Sequence, residues 1–189
     1  PGASESNYMA RQVGAYGDFR IGYKNFLFLH GTGRNDWVSV LSTQNRSFFY
    51  PSADISFIAT DAFESIKSSG KISLLKFRAG VSKVGQVNLG SEFGAYSLAP
   101  TFGGSANGFP YGSLAGYTVG NLLVSNNLKP EITKAFEVGV DLNMFNDRLT
   151  STWTWFSSKT DDQTVNTAVS STTGFTSLLT NTGQTQSQG

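Results

Sequence analysis

The sequence predicts an all-β fold, a segment of an antiparallel transmembrane β-barrel. Three observations carry that reading: strict period-two alternation over a long stretch, low bulk hydrophobicity combined with many aromatics, and connections that alternate short and long. The alternation is clearest between Leu128 and Ser158. From Ile132 to Met144 one phase reads Ile132, Lys134, Phe136, Val138, Val140, Leu142, Met144, and the other reads Glu131, Thr133, Ala135, Glu137, Gly139, Asp141, Asn143. Successive side chains of a strand point to opposite faces, so this is a strand with one apolar and one polar side. Strands of soluble proteins run to about 5–6 residues. A strand of about ten or more, apolar on one side and charged on the other, suits a barrel in lipid whose polar face lines a lumen.

Six strands are expected, in order. The first covers residues 8–23, where Val13, Ala15, Gly17, Phe19 and Ile21 alternate with Gln12, Tyr16, Asp18 and Arg20; a short turn at Tyr23-Lys24-Asn25 ends it. The second covers 26–34, followed by a polar loop at 35–46 that contains Trp37. The third covers 48–59, with Pro51 marking a strand start, an edge or a bulge. A connector at Asp61–Ser69 with room for one helical turn leads to the fourth, 73–84, where Leu75, Phe77, Ala79 and Val81 oppose Lys76, Arg78 and Ser82. Residues 85–127 form a long irregular loop rich in Gly, Ser, Asn and aromatics. The fifth and sixth strands, 131–145 and 149–160, are a hairpin closed by Asn146-Asp147-Arg148, and residues 161–180 are the next long loop. Short turns at one rim and long loops at the other is the asymmetry of outer-membrane barrels, with the long loops (35–46, 85–127, 161–180) extracellular. Aromatics near strand ends (Tyr23, Phe26, Trp37, Phe48 to Tyr50, Phe145, Trp155, Phe156) are placed as interface girdles are.

Composition agrees. The chain has 189 residues, 39% hydrophobic and 13% aromatic, with 21 glycines, no cysteine and a net charge of +1. Only every second residue of a membrane strand faces lipid, so such a barrel needs little bulk hydrophobicity. The near-neutral charge implies no nucleic-acid partner, and the lack of cysteine removes disulfides and thiolate metal sites. Ten residues at about 3.3 Å rise, tilted by about 45°, span roughly 23–25 Å, the height of the apolar band. Six strands are too few to close, since the smallest membrane barrels have about eight. All of residues 1–189 are therefore expected to be one piece of a single larger barrel domain.

Several segments resemble the SusC/RagA family of TonB-linked outer-membrane transporters. They are Gly33-Arg34-Asn35-Asp36-Trp37, Asn45 to Ser52, Leu74 to Gly85, Asn127-Leu128-Lys129-Pro130-Glu131 continuing through Phe136 to Leu149, then Val169-Ser170-Ser171 and Asn181-Thr182-Gly183. The resemblance runs from about Tyr16 to Gly183 and is weakest between Asn88 and Gly120. It implies a 22-stranded barrel with an N-terminal plug, opened by the TonB system in the outer membrane of Bacteroidetes-type bacteria. It also implies a SusD-like surface lipoprotein as a lid, and import of oligosaccharides or peptides. No plug or TonB-contacting segment is recognisable in these residues, which are expected to be barrel wall.

No enzyme constellation emerges, and no cofactor is expected. His30 is the only histidine and reads as an interface or lumen residue. Asp161-Asp162 lacks the spacing of a calcium loop and reads as a solvated loop start. Glu131, Glu137 and Asp141 share one strand's polar face, with Lys76 and Arg78 available on another, and read as a lumen charge network. Lys134 interrupts the apolar phase near the extracellular end, where its long stem can snorkel. The expected contacts with ligand or lid protein are the loop aromatics Trp37, Phe102, Phe109, Tyr111 and Tyr117. Two other classes fit the alternation: a soluble carbohydrate-binding β-sandwich, and a different outer-membrane barrel such as a porin or adhesin.

Overall fold

A computed structural model describes residues 9–87, 98, 102–104 and 116–189. Its strands are β1 (Gln12–Tyr23), β2 (Leu27–Val38), β3 (Ser47–Ile58), β4 (Ile72–Gln86), β5 (Phe102–Gly104), β6 (Tyr117–Val119), β7 (Leu122–Val124), β8 (Glu131–Met144), β9 (Leu149–Ala168) and β10 (Ser177–Gln188). Eight of them form one sheet in the order β1-β2-β3-β4-β8-β9-β10-β7; all neighbours are antiparallel except β10 and β7, which run parallel. β5 and β6 form a separate two-stranded ribbon. Among the described residues β1 and β7 are the two ends of the sheet order, so the barrel is not closed.

Two hairpin turns at one rim follow from their residues. Lys24 and Asn25 have φ of 45° and 60°, and Phe26 N–H bonds to the Tyr23 carbonyl at 3.2 Å. Asn146 and Asp147 have φ of 55° and 61°, and Arg148 N–H bonds to the Phe145 carbonyl at 3.4 Å. Two central residues with positive φ make the turn whose twist matches the flanking strands, and Asn and Asp tolerate it. The third connection at this rim carries helices α1 (Ala59–Ala62) and α2 (Glu64–Ser68), longer than a single turn. Among the described residues, 39–46, 87, 125–130 and 169–176 lie at the opposite rim.

The strands run further than the alternation suggests. β2 continues through Asn35, Asp36 and Trp37 to Val38, β9 continues past Thr160 to Ala168, and β10 is a seventh long strand where loop and polar tail are expected. Beyond the apolar band both faces of a strand meet water, so the period-two signal disappears while the backbone ladder goes on. The ladder between β9 and β10 is broken near Asp162, where φ is 58° and the register shifts between Asn181 and Gly183. Pro51 sits one residue outside the β3–β4 register, which begins at Ser52.

Register sorts the side chains into two faces. One face carries Val13, Phe19, Ile21 and Tyr23 on β1, Leu27, Leu29 and Trp37 on β2, Phe49, Ile55 and Phe57 on β3, Phe77 and Val81 on β4, Phe136, Val138 and Val140 on β8, and Trp153 and Trp155 on β9. Phe19 packs over Gly31, its direct cross-strand partner, where any Cβ would collide with the ring. The apolar face is uncovered: Val13 is 63% exposed, Ile21 59% and Trp153 71%. A β-sandwich would bury this face under a second sheet. The main hydrophobic cluster is small and sits instead at the long-loop rim, where Val38, Val40, Leu41, Val124 and Leu128 pack with Phe48, Val87, Leu98 and Leu179.

The upper edge of the apolar band slants across the strands. It lies at Val13 on β1 but at Trp155 on β9, and the register carries Trp155 through Val138, Ala79, Ile55 and Leu29 to Ile21, eight residues along β1 from Val13. Eight residues are about 26 Å and five strand spacings about 24 Å, a slope near 45°. Strands of closed membrane barrels tilt by about 35–45°, so a band level with the membrane plane must cross them at this slope.

Each large apolar side chain left in water rather than lipid forfeits about 1.5–3 kcal/mol, which over this face exceeds the ordinary stability of a domain, about 5–15 kcal/mol. Residues 1–189 expressed alone should therefore be insoluble without detergent; a monodisperse β-rich species in plain buffer by size exclusion and circular dichroism would contradict the facing. In the full-length protein Val138→Arg should cost about 2–4 kcal/mol and block assembly. Thr152→Arg, directly opposite Asp141 on the polar face, should be tolerated. Heat-modifiable gel migration reads both, and equal defects would remove the assignment.

Candidate functional site: the polar face of the sheet

The opposite phase of β1 to β4, β8 and β9 is mostly polar, interrupted by Phe28, Phe48, Val84 and Phe156. Its side chains neutralise one another in three groups. In the first, His30 on β2 bridges two neighbouring strands: Nε2 lies 2.6 Å from Asp18 on β1 and Nδ1 lies 2.6 Å from Asp54 on β3. Each ring nitrogen thus faces one carboxylate, and the imidazole joins three strands. Arg20 approaches Asp18 at 3.7 Å, and Thr32 and Ser52 share a hydroxyl bond of 2.6 Å beside them. The single histidine is thus a polar-wall residue held by two aspartates.

The second group lies towards the long-loop rim. Arg34 Nε donates to Asp36 Oδ1 and to the Tyr50 hydroxyl, each at 2.9 Å. Tyr50 donates to Asp36 Oδ2, and Gln12 Nε2 reaches the same oxygen at 3.2 Å. Asp36 is only 4% exposed, so a carboxylate there requires these donors. The residues alternate along β2, which is why the stretch read as a polar loop: Arg34 and Asp36 face the wall while Asn35 and Trp37 face out.

The third group spans β4, β8 and β9. Arg78 donates to Thr154 Oγ1 at 2.6 Å, lies 3.4 Å from Glu137 and 3.7 Å from Asp141. It can do so because its direct cross-strand partner is Gly139. An ideal Cβ on Gly139 would sit 2.5 Å from Arg78 Nε. The side chain lies across that gap. The expected carboxylate network is present for Glu137 and Asp141. Glu131 instead accepts from the Thr164 backbone N–H at 3.0 Å, near the bulge. Among the described residues this face carries hydrogen-bonding groups on β1 to β4, β8 and β9.

The expected loop contacts separate. Trp37 belongs to β2, opposite Val13 on the apolar face, and not to a loop. Phe102 and Tyr117 lie on the same side of the β5–β6 ribbon, 67% and 75% exposed. Phe109 and Tyr111 lie outside the described residues. Asp161 is not a solvated loop start. It stands in β9 and pairs with Lys134 at 3.4 Å and Lys159 at 3.3 Å, and it accepts from Gln184 at 2.7 Å. At the adjoining bulge, Asn181 Nδ2 donates to the backbone carbonyls of Asp162 (2.7 Å) and Lys129 (2.9 Å), and its Oδ1 accepts from Lys129 N–H (2.8 Å). One side chain thereby ties β10 to β9 and to the segment entering β8, and sequence reading has no signal for that.

The comparisons with known proteins agree with this architecture. The family model described as TonB dependent receptor-like, beta-barrel matches residues 1–189. TonB-dependent receptor P26 of Formosa agariphila is 28% identical over 187 residues, 97% of this chain and 18% of that protein. TonB-dependent receptor P3 of the same organism is 24% identical over 182 residues, 94% of this chain and 17% of that protein. The chain therefore spans less than a fifth of the length of these curated relatives. Among solved structures, the RagAB peptide importer in its closed-closed state superposes with a TM-score of 0.77 at 21% identity, covering 94% of this chain and 18% of that one. The siderophore receptor PirA from Pseudomonas aeruginosa gives 0.60 at 18% identity, covering 95% and 30%. At these identities the structural likeness speaks for the fold alone. The match over every residue, together with a tilted, two-faced strand array, makes this chain a member of the TonB-dependent receptor-like β-barrel family.

Proposed function

We propose that these residues are barrel wall in an outer-membrane importer of the SusC/RagA type, driven through TonB, that takes up oligosaccharides or peptides beneath a SusD-like surface lipoprotein. The observation that carries the proposal is the two-faced sheet. Its outer side is apolar and uncovered, and its inner side is a wall of paired charges and hydroxyls. Such a wall offers donors and acceptors to a solute rich in polar groups. The family match supports the importer reading. In this arrangement the long-loop rim is extracellular. The exposed aromatics Phe102 and Tyr117 stand in a connection at that rim and can stack on sugar rings or pack against a lid protein. Trp37, Phe109 and Tyr111 complete the proposed set of contacts, Trp37 from the outer edge of the rim.

Uptake of labelled oligosaccharide and peptide pools by cells carrying the full-length protein should stop when TonB is deleted. Uptake that continues unchanged would mean a passive porin. In the same cells Phe102→Ala with Tyr117→Ala should weaken capture of substrate or of the surface lipoprotein by about two- to tenfold, the worth of one aromatic contact, with gel migration of the barrel unchanged. Pull-down and equilibrium binding read the change. No change in either would assign these aromatics to folding of the loop on itself.

A further inference from the structure

The apolar face ends at the long-loop rim in a row of cations. Lys83 on β4 is directly opposite Lys134 on β8, which is directly opposite Lys159 on β9. All three belong to the outward phase: Lys83 follows Val81, Lys134 precedes Phe136, and Lys159 follows Trp155 and Ser157. Like charges placed directly opposite across strands repel, and charges on the lipid side of a barrel are costly in the apolar zone and tolerated towards its boundaries. The arrangement is unfavourable unless an anion sits outside the sheet. Protein supplies part of the compensation. Asp161 draws in Lys134 at 3.4 Å and Lys159 at 3.3 Å. Lys83 makes no ion pair among the described residues.

The β9–β10 bulge opens a hollow of about 510 Å³ beside this row, bordered by Lys83, Lys134, Asp161, Asp162, Thr182 and Gln184. The hollow itself is lined by two lysines and two aspartates; Lys159, opposite Lys134 on β9, stands next to it and brings the row to three cations, and Thr182 and Gln184 add hydrogen-bonding groups. Cross-strand neighbours stand about 4.5–5.5 Å apart at Cβ, so adjacent ammonium groups can converge on one phosphate from their flexible stems. Val81 and Phe136 directly below, and Trp155 below Ser157 on β9, face where acyl chains lie.

We propose that Lys83, Lys134 and Lys159 form a binding site for the phosphate of an outer-leaflet glycolipid, whose acyl chains lie against the apolar band beneath. The proposal depends on the long-loop rim being extracellular, as in the proposed function, and not on which solute is imported.

The test uses the full-length protein purified in detergent and native mass spectrometry with two probes, monophosphoryl lipid A and the same lipid dephosphorylated. The wild type should retain the phosphorylated lipid and not the other. K83Q/K134Q/K159Q should lose roughly a hundredfold in retention, about fivefold per lysine near an anionic headgroup. If the triple variant fails the gel-migration test of folding, K83Q alone, which breaks no ion pair among the described residues, should lose about fivefold. Equal retention of the two lipids, or equal retention by wild type and the folded variant, overturns the site and leaves simple snorkelling. Solute uptake by the same cells is read separately: wild-type uptake that is independent of TonB defeats the proposed function, and lipid retention stays interpretable.

Discussion

Inside a bilayer the backbone has no water to bond to, so each N–H and C=O at membrane depth must find its partner in the sheet. The rest of the structure depends on this. It explains why the ladders are long and nearly unbroken: β1 and β2 pair at every position from Gln12–Val38 to Tyr23–Leu27, and β4 and β8 pair from Gln86–Glu131 almost to Ile72–Met144. It explains where irregularity is allowed. The bulge at Asp162 and the ends of β7 and β10 lie beyond the apolar band, where water or the Asn181 side chain can serve the freed groups. Pro51 is placed where the β3–β4 ladder has not yet begun.

With the backbone satisfied, the side chains divide the work. The outer face contributes apolar area whose burial requires lipid, and the slant of that area ties the strand tilt to the membrane plane. The inner face pairs charges both along strands, as Arg34 with Asp36 on β2, and across them. His30 joins three strands through two aspartates. Arg78 joins three through Thr154, Glu137 and Asp141, and Gly139 provides the space for its side chain to lie flat. These clamps hold neighbouring strands in register where no packed core exists to do so. The same set of paired side chains keeps this face polar.

The hairpin from Glu131 to Trp155 was legible because alternation, a two-residue Asn-Asp turn and large apolar side chains coincide there. The extension of β2 beyond Arg34 was hidden because Asn35 and Asp36 carry the composition of a loop. The partners of Asp36, Tyr50 and Gln12, are distant in sequence. β10 was hidden for a related reason: Thr180 to Gln188 is polar on both phases, and a strand wet on both sides has no period to read. Phe102 and Tyr117 share one side of a ribbon, and Trp37, expected in a loop, stands in β2 with its outward phase on the face opposite the polar wall.

Alternation in the sequence by itself determined that the strands are long, that they have an apolar and a polar side, and where the tight turns fall. These properties are local: they depend on a residue's neighbours two positions away and on which residues tolerate positive φ. Only the tertiary structure decided the offsets between strands. A slip of two residues leaves every side chain on its own face, so periodicity is blind to it. Such a slip would nevertheless separate Lys83 from Lys134, move Gly139 from beneath Arg78 and change the slope of the apolar band. Those offsets come from turn geometry and from cross-strand bonds between residues far apart in the chain, which no stretch of sequence displays.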